Sequence, residues 1–319
     1  MNSKRQAVIA GNQVSEIYEW LLGGYNQKVL IEGEEASLPV VITLHGGPGT
    51  PLPLSVGCRG LFPEFTDCFI MVYWDQFGCG INNCVIDDHF TIDSFLQMTL
   101  ELIKKIKELF PDNKIYVFAT SWGSILSARM LQINRNAVDG VVVWGQIVKD
   151  VFFNEEVFQA LEKTKLSKAK LERIKAVQKN SASPRELRLV SSSIRKYTSG
   201  YQNKAGGQMP MGEFIKGLLT SPDYCFQDFI AIFVNGYRKN QSLWKEILRI
   251  DLSRILKNVN VPYIILQGDT DIVASTTTVS TLVKNSYNPN LHCEIVEDSG
   301  HIPGSEGMNR VFEKLCAFK

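Results

Sequence analysis

Several things are missing from this 319-residue sequence, and each absence removes a class of protein. No apolar run has the length of a membrane span: stretches such as CFIMVYW and DGVVVWG are strand-length. The N-terminal MNSKRQAVIAGNQ carries two basic residues but an apolar stretch of only four, too short for a signal-peptide core. Charge of one sign is not in excess. The net charge of +1 gives no electrostatic case for nucleic acid or membrane binding. Among seven cysteines (Cys58, Cys68, Cys79, Cys84, Cys225, Cys293 and Cys316) there is no Cys-x-x-Cys pair, and the number is odd. A disulfide framework therefore does not fit. Reduced thiols in a cytoplasmic protein do, most of them serving as small buried hydrophobes. A Gly-Lys-Ser/Thr phosphate loop is absent. Gly78-Cys79-Gly80 follows a strand-like run, but Asn83 stands where a dinucleotide loop needs its third glycine. Cys79, Cys84 and His89 lack a metal-site spacing. No metal or cofactor is expected.

What is present is an alternation. PVVITLHG (39 to 46), CFIMVYWD (68 to 75), KIYVFAT (114 to 120) and VDGVVVWG (138 to 145) are continuous apolar runs, as strands buried on both faces require. Helical spacing lies between them, most clearly over 92 to 110, where Phe95, Leu96, Leu100, Ile103, Ile106 and Leu109/Phe110 recur at helical spacing. Residues 14 to 32 read as a hairpin around Gly23-Gly24-Tyr25-Asn26. The alternation resumes after residue 249 with VPYIILQG, STTTVSTLVKNS, LHCEIVED and NRVFEKLCAF. The pattern predicts an α/β fold with a mostly parallel sheet flanked by helices. Residues 150 to 249 break the rhythm with amphipathic, lysine-rich stretches and no strand-like run. They read as a helical cap inserted after the sixth strand, on a core of 1 to 149 and 250 to 319. The stretch YQNKAGGQMPMG within it reads as a loop.

One stretch carries chemistry. In YVFATSWGSIL a predicted strand ends abruptly on Ser121 and a predicted helix follows. A serine hydroxyl is a weak nucleophile. It has to be held exposed beside a base, with donors waiting for the developing oxyanion. A sharp strand–serine–helix turn does this and needs small neighbours. Ala119-Thr120-Ser121-Trp122-Gly123 is the Gly-x-Ser-x-Gly pattern with alanine at its first position. Alone, the same residues describe a serine capping an ordinary helix. The rest of the chain adds to them. His45-Gly46-Gly47-Pro48-Gly49 follows the third strand, where hydrolases with this turn place a second oxyanion donor. Gly268-Asp269-Thr270-Asp271 follows the seventh, with two candidate acids, and His301 lies in a loop after the eighth. Of four histidines, His45 sits in the glycine loop, His89 before a helix and His292 inside a strand pattern, which leaves His301 as the base.

With HGGPG, VYWDQFGCG, SWGS, the GDTD turn and the Gly300-His301 pair on one chain, the sequence resembles the α/β-hydrolase superfamily, and within it the prolyl iminopeptidase-like group. The resemblance covers the core on both sides of the insertion. It implies Ser121 as nucleophile, His301 as general base and then acid, and Asp271 as its orienting acid, with Asp269 the alternative. It also implies that the backbone N–H groups of Gly47 and Trp122 form the oxyanion hole. The chain departs from the group's pattern at Phe77, where arginine is usual, and at Asp269-Thr270, where an arginine-tyrosine pair is usual. The acidic cap residues that hold a substrate amine in the group's aminopeptidases have no recognisable context here. Glu213, Asp223, Asp228 and Glu246 are available, but no motif singles one out, and such carboxylates are mostly solvated surface groups. Three functions follow as expectations. The first is an aminopeptidase acting on a short peptide; the second is an esterase, amidase or lactonase acting on a small acyl compound. The third is a binding protein that keeps the fold without turnover, against which the intact residue set argues. Substrate-binding residues and oligomeric state are not legible.

Overall fold

The buried runs become the centre of one sheet. A computed structural model describes residues 3–202 and 211–319. Most of the loop read at 201 to 212 lies outside the described residues, as does the side chain of Glu213. The strands are β1 (Val14–Leu22), β2 (Tyr25–Gly33), β3 (Val40–Leu44), β4 (Ile70–Tyr73), β5 (Ile115–Thr120), β6 (Gly140–Trp144), β7 (Tyr263–Gly268) and β8 (Leu291–Val296). Their order across the sheet is β1-β2-β4-β3-β5-β6-β7-β8. β1 and β2 form the predicted hairpin, with Val14 opposite Gly33 and Leu22 opposite Tyr25. β2 joins β4 antiparallel, and every later pairing is parallel.

All residues of β3, β4, β5 and β6 are buried, which only helices on both faces can achieve. The period of two sorts them. Val40, Ile42, Leu44, Val117 and Ala119 pack in one cluster with helices α3 (Ile92–Leu109) and α4 (Trp122–Ile133). Val41, Tyr116, Phe118 and Val142 face the other way, against α2 (Pro63–Cys68) and α13 (Ser305–Cys316). The capping box of α3 is Thr91 with Ser94, and its predicted stripe is inside except for the partly exposed Leu100 and the exposed Leu109. The N-terminal α1 (Ser3–Gly11), which the sequence reading left unassigned, is tied down by the buried Arg5.

Between β6 and β7 the described residues form helices and turns, with no strand. The lysine-rich stretch divides into α5 (Glu155–Glu162) and α6 (Lys168–Lys175). α7 (Pro184–Tyr197) starts on the predicted Ser-Pro, with Ser183 as N-cap. α8 (Met211–Leu219), α9 (Phe226–Phe233), α10 (Gln241–Arg249) and the short α11 (Ser253–Leu256) complete the segment. Its two ends run side by side: Lys149 bridges Asp251, and Leu252 N–H donates to Val148 O at 2.9 Å. α12 (Thr276–Lys284) follows β7. No described helix is long and apolar enough to cross a membrane.

The cysteines form no disulfide, but the expectation that most are buried needs correction. Cys58 and Cys79 are buried, Cys68, Cys293 and Cys316 are half-buried, and Cys84 and Cys225 are exposed. Only the first pair lies on inward-facing positions of the core clusters.

Candidate active site

Ser121 sits on the predicted turn, between β5 and α4. Its φ of 48° and ψ of −112° are strained for a residue with a Cβ. The neighbourhood over-determines this conformation. Ser121 N–H donates to Trp144 O at 3.0 Å across the sheet, and Ser124 N–H donates to Ser121 O at 2.8 Å. Gly123 is required by close approach, since a Cβ there would lie 2.0 Å from Leu44 O. The helix therefore starts almost in contact with the end of β3. Ser121 caps nothing with its side chain, which removes the ordinary-cap reading.

The hydroxyl points instead to His301. Ser121 Oγ–H donates to His301 Nε2 at 2.7 Å, and His301 Nδ1–H donates to Asp271 Oδ2 at 2.8 Å. A carboxylate can only accept, so the proton lies on Nδ1 and Nε2 is free to accept from serine. Asp271 is 1% exposed, and its charge is met by donors on both oxygens. Val273 N–H and Ala274 N–H reach Oδ1 at 2.9 and 3.0 Å, and Gln267 Nε2 reaches Oδ2 at 2.8 Å. The alternative acid faces elsewhere: Asp269 Oδ1 accepts Ser299 N–H at 2.9 Å and so staples the acid turn to the loop carrying His301. That loop is also held from the helical segment. His301 N–H donates to Gly200 O at 3.0 Å and Ile302 N–H to Tyr201 O at 2.8 Å, and the Tyr201 ring stands edge-on to the imidazole at 6.0 Å.

The glycine loop closes over the same place. A Cβ on Gly46 would lie 3.4 Å from Ser121 Cβ, so the loop passes directly beside the hydroxyl-bearing residue. Gly47 adopts φ +122°, and a Cβ there would strike Gly49 N at 2.5 Å. Trp122 is the first residue of α4, where an N–H has no carbonyl one turn earlier to bond. His45 is buried, and its Nδ1–H donates to Gly46 O at 2.8 Å. Burial pushes its pKa down to about 4, so it stays a neutral structural ring.

The structure thus brings Ser121, His301, Asp271, Gly46 and Trp122 together and leaves the other histidines out. His89 is exposed beside Asp87, and His292 is exposed on β8. The available carboxylates are not simply solvated. Asp223 is nearly buried and pairs with Arg59 at 3.0 Å. Asp228 accepts Cys225 N–H at 2.9 Å at the start of α9, and Glu246 accepts Ile92 N–H at 2.7 Å at the start of α3. Phe77 stacks on Phe90 at 5.1 Å, so an aromatic core replaces a charge at that position. Sequence reasoning passed over Gln267, which orients Asp271. It is the penultimate residue of β7, just before the acid turn, and polar residues at the carboxyl ends of parallel strands are the ones to suspect. A separate cleft of about 440 Å³, lined by Lys149, Asn154, Glu156, Lys257 and Thr281, includes none of Ser121, His301 and Asp271.

Residues 39–307 match the family described as the alpha/beta hydrolase fold. A probable aminopeptidase (YbaC) of Bacillus subtilis strain 168 is 23% identical over 297 residues, covering 90% of this chain and 91% of that one. Among solved structures, a proline iminopeptidase-related protein from Thermus thermophilus superposes with a TM-score of 0.61 at 18% identity, covering 95% of this chain and 98% of that one. A carboxylesterase of Bacillus subtilis superposes with a TM-score of 0.58 at 14% identity, covering 99% and 95%.

Proposed function

The chain belongs to the alpha/beta hydrolase fold family, and from that premise we propose that it is a serine hydrolase cleaving a small ester or amide through an acyl-enzyme. The observation that carries this is the unbroken relay from Ser121 Oγ through His301 to Asp271, at 2.7 and 2.8 Å. Ser121 attacks the carbonyl while His301 Nε2 takes its proton. The N–H groups of Gly47 and Trp122 receive the oxyanion. His301 returns the proton to the leaving group, and water then repeats the sequence to release the acid. Asp271 stays ionised and stabilises the imidazolium. In this reading residues 150–249 are a lid on a core of 1–149 and 250–319, and its strap at 199–202 holds the His301 loop. The unpaired cysteines support a cytoplasmic location.

The substrate divides into two readings. Similarity to a protein named as a probable aminopeptidase supports a short peptide with a free amine. The commitments of Asp223, Asp228 and Glu246 favour a neutral acyl compound. Each already meets a guanidinium or a helix N–H through one oxygen, although Asp223 Oδ2 is buried without a hydrogen-bond partner among the described residues. A paired panel tests both, with every rate taken as the difference from Ser121→Ala. Short-chain aryl esters should be cleaved in a serine-dependent way, and aminoacyl-arylamides should not. Cleavage of arylamides that is lost on blocking the amine would restore the aminopeptidase reading. No difference from Ser121→Ala on either half, with no fluorophosphonate labelling of Ser121, would sink the hydrolase reading itself.

A further inference from the structure

The DQFGCG stretch after β4 has no part in the chemistry above, yet its glutamine joins both sides of the oxyanion site. Gln76 is wholly buried. Its backbone N–H donates to His45 Nε2 at 3.0 Å, and the same imidazole donates from Nδ1 to Gly46 O at 2.8 Å. Its side-chain Oε1 accepts Trp122 Nε1–H at 2.8 Å. An indole N–H only donates, so the carboxamide orientation is set: oxygen to Trp122, nitrogen away. That nitrogen is buried and has no acceptor among the described residues. An apolar side chain of similar volume would fill the space without the cost of an unpaired amide. Packing therefore does not account for the carboxamide, whereas its bond to Trp122 does.

The anchor is itself firm. Cys79 Sγ–H donates to Gln76 O at 3.2 Å. The neighbouring Asp75 carboxylate accepts Val56 N–H at 3.1 Å, Ile81 N–H at 3.0 Å and the hydroxyl of Tyr224, which comes from the segment between α8 and α9. A fixed point on the β4 loop thus holds the Gly46-Gly47 loop through the backbone of Gln76 and the first residue of α4 through its side chain.

We propose that Gln76 is a positioning residue for the oxyanion hole, setting Trp122 and its backbone N–H against the Gly47 loop. The inference rests on the hydrolase reading above. An oxyanion donor acts only as negative charge develops, so misplacing it lowers kcat and spares KM. Losing one donor outright costs about 100-fold or more, and displacing one should cost roughly tenfold.

The test uses Gln76→Met, Gln76→Glu and Trp122→Phe, with Ser121→Ala as the blank. The readouts are the second-order rate of fluorophosphonate labelling and the kinetics on whichever panel substrate the wild type cleaves. Gln76→Met and Trp122→Phe delete the same bond from opposite ends. Each should lower labelling and kcat roughly tenfold with KM within about twofold, and the double variant should lose no more than either. In Gln76→Glu a protonated carboxyl mimics the amide, and burial raises its pKa. While that carboxyl is protonated its oxygen still accepts from Trp122 Nε1–H, so at low pH this variant should label close to wild type, a rescue that Gln76→Met cannot show; as pH rises and the buried carboxylate takes charge beside the oxyanion site, its rate should fall. Labelling of Gln76→Met and Trp122→Phe within about twofold of wild type, or losses that multiply in the double variant, would overturn the inference. A wild type that labels no better than Ser121→Ala would instead overturn the hydrolase reading. Should Gln76→Met fail to fold, the Trp122→Phe rate and the Gln76→Glu pH profile still decide.

Discussion

At the scale of single residues, the site is set by who can donate and who can accept. Two buried groups near the glycine loop carry opposite pH dependences. Burial holds the folded pKa of His45 at about 4, below its ordinary 6.5. Its contribution to stability is therefore complete above pH 6.5 and is lost as pH falls towards 4, because the unfolded chain takes the proton first. Burial raises Asp75 to about 6 from 3.8. Its contribution is complete below pH 3.8 and is lost as pH rises towards 6, because the folded chain holds the proton longer. Between roughly pH 4 and 6 the two slopes oppose each other, each about 1.4 kcal/mol per pH unit. Urea unfolding of Asp75→Asn across that window should show stability falling towards acid about 1.4 kcal/mol per unit more steeply than wild type. Parallel slopes would mean that Asp75 titrates as an exposed carboxylate does.

At the scale of elements, the strap ties lid to site. α7 is amphipathic, with Leu187, Val190 and Ile194 buried, and it leads directly into residues 199–202. Its start is exposed and depends on the reciprocal pair of Ser183 and Glu186. Ser183→Ala should cost about 1 kcal/mol, seen as a lower urea midpoint with an unchanged slope. The strap itself is held further along, by His301 N–H donating to Gly200 O at 3.0 Å and Ile302 N–H donating to Tyr201 O at 2.8 Å. Fluorophosphonate labelling of Ser183→Ala should therefore match wild type while the protein is folded. A fall in labelling without unfolding would show that α7 frays far enough to release the His301 loop.

At the scale of the whole molecule, a buried arginine locks the N-terminal helix to the core and to the helical segment. Arg5 donates to Gly57 O and Gly217 O at 2.6 Å each and to Arg59 O at 2.5 Å. Arg59 in turn bridges Glu32 and Asp223 at 2.9 and 3.0 Å. One residue from α1 thus joins the loop before α2 to the end of α8. Arg5→Met leaves three inward carbonyls without their donor and should cost about 3 kcal/mol in chemical denaturation. A cost below about 1 kcal/mol would show that water replaces the guanidinium, as at an ordinary surface arginine.

The sequence by itself determined the layered α/β architecture, because two periods are local properties of the chain. Runs such as VVITL and IYVFA can only be strands buried on both faces, and the 92 to 110 stripe only a helix. Ser121 and the HGGPG loop were legible for the same reason: each needs small residues within a few positions of one another. Which aspartate meets His301 was not settled by spacing alone, which left Asp269 and Asp271 both open; the family resemblance named Asp271. Asp269 and Asp271 are two residues apart on one turn, and the turn's dihedral angles aim one at Ser299 and the other at the imidazole. Nor could the sequence show that Gln76 reaches Trp122, 46 positions away, or that Glu246 is spent on the start of α3, 154 positions away. Those partners come from different strands and helices, and only the packing of the sheet and its helices decides which of them meet.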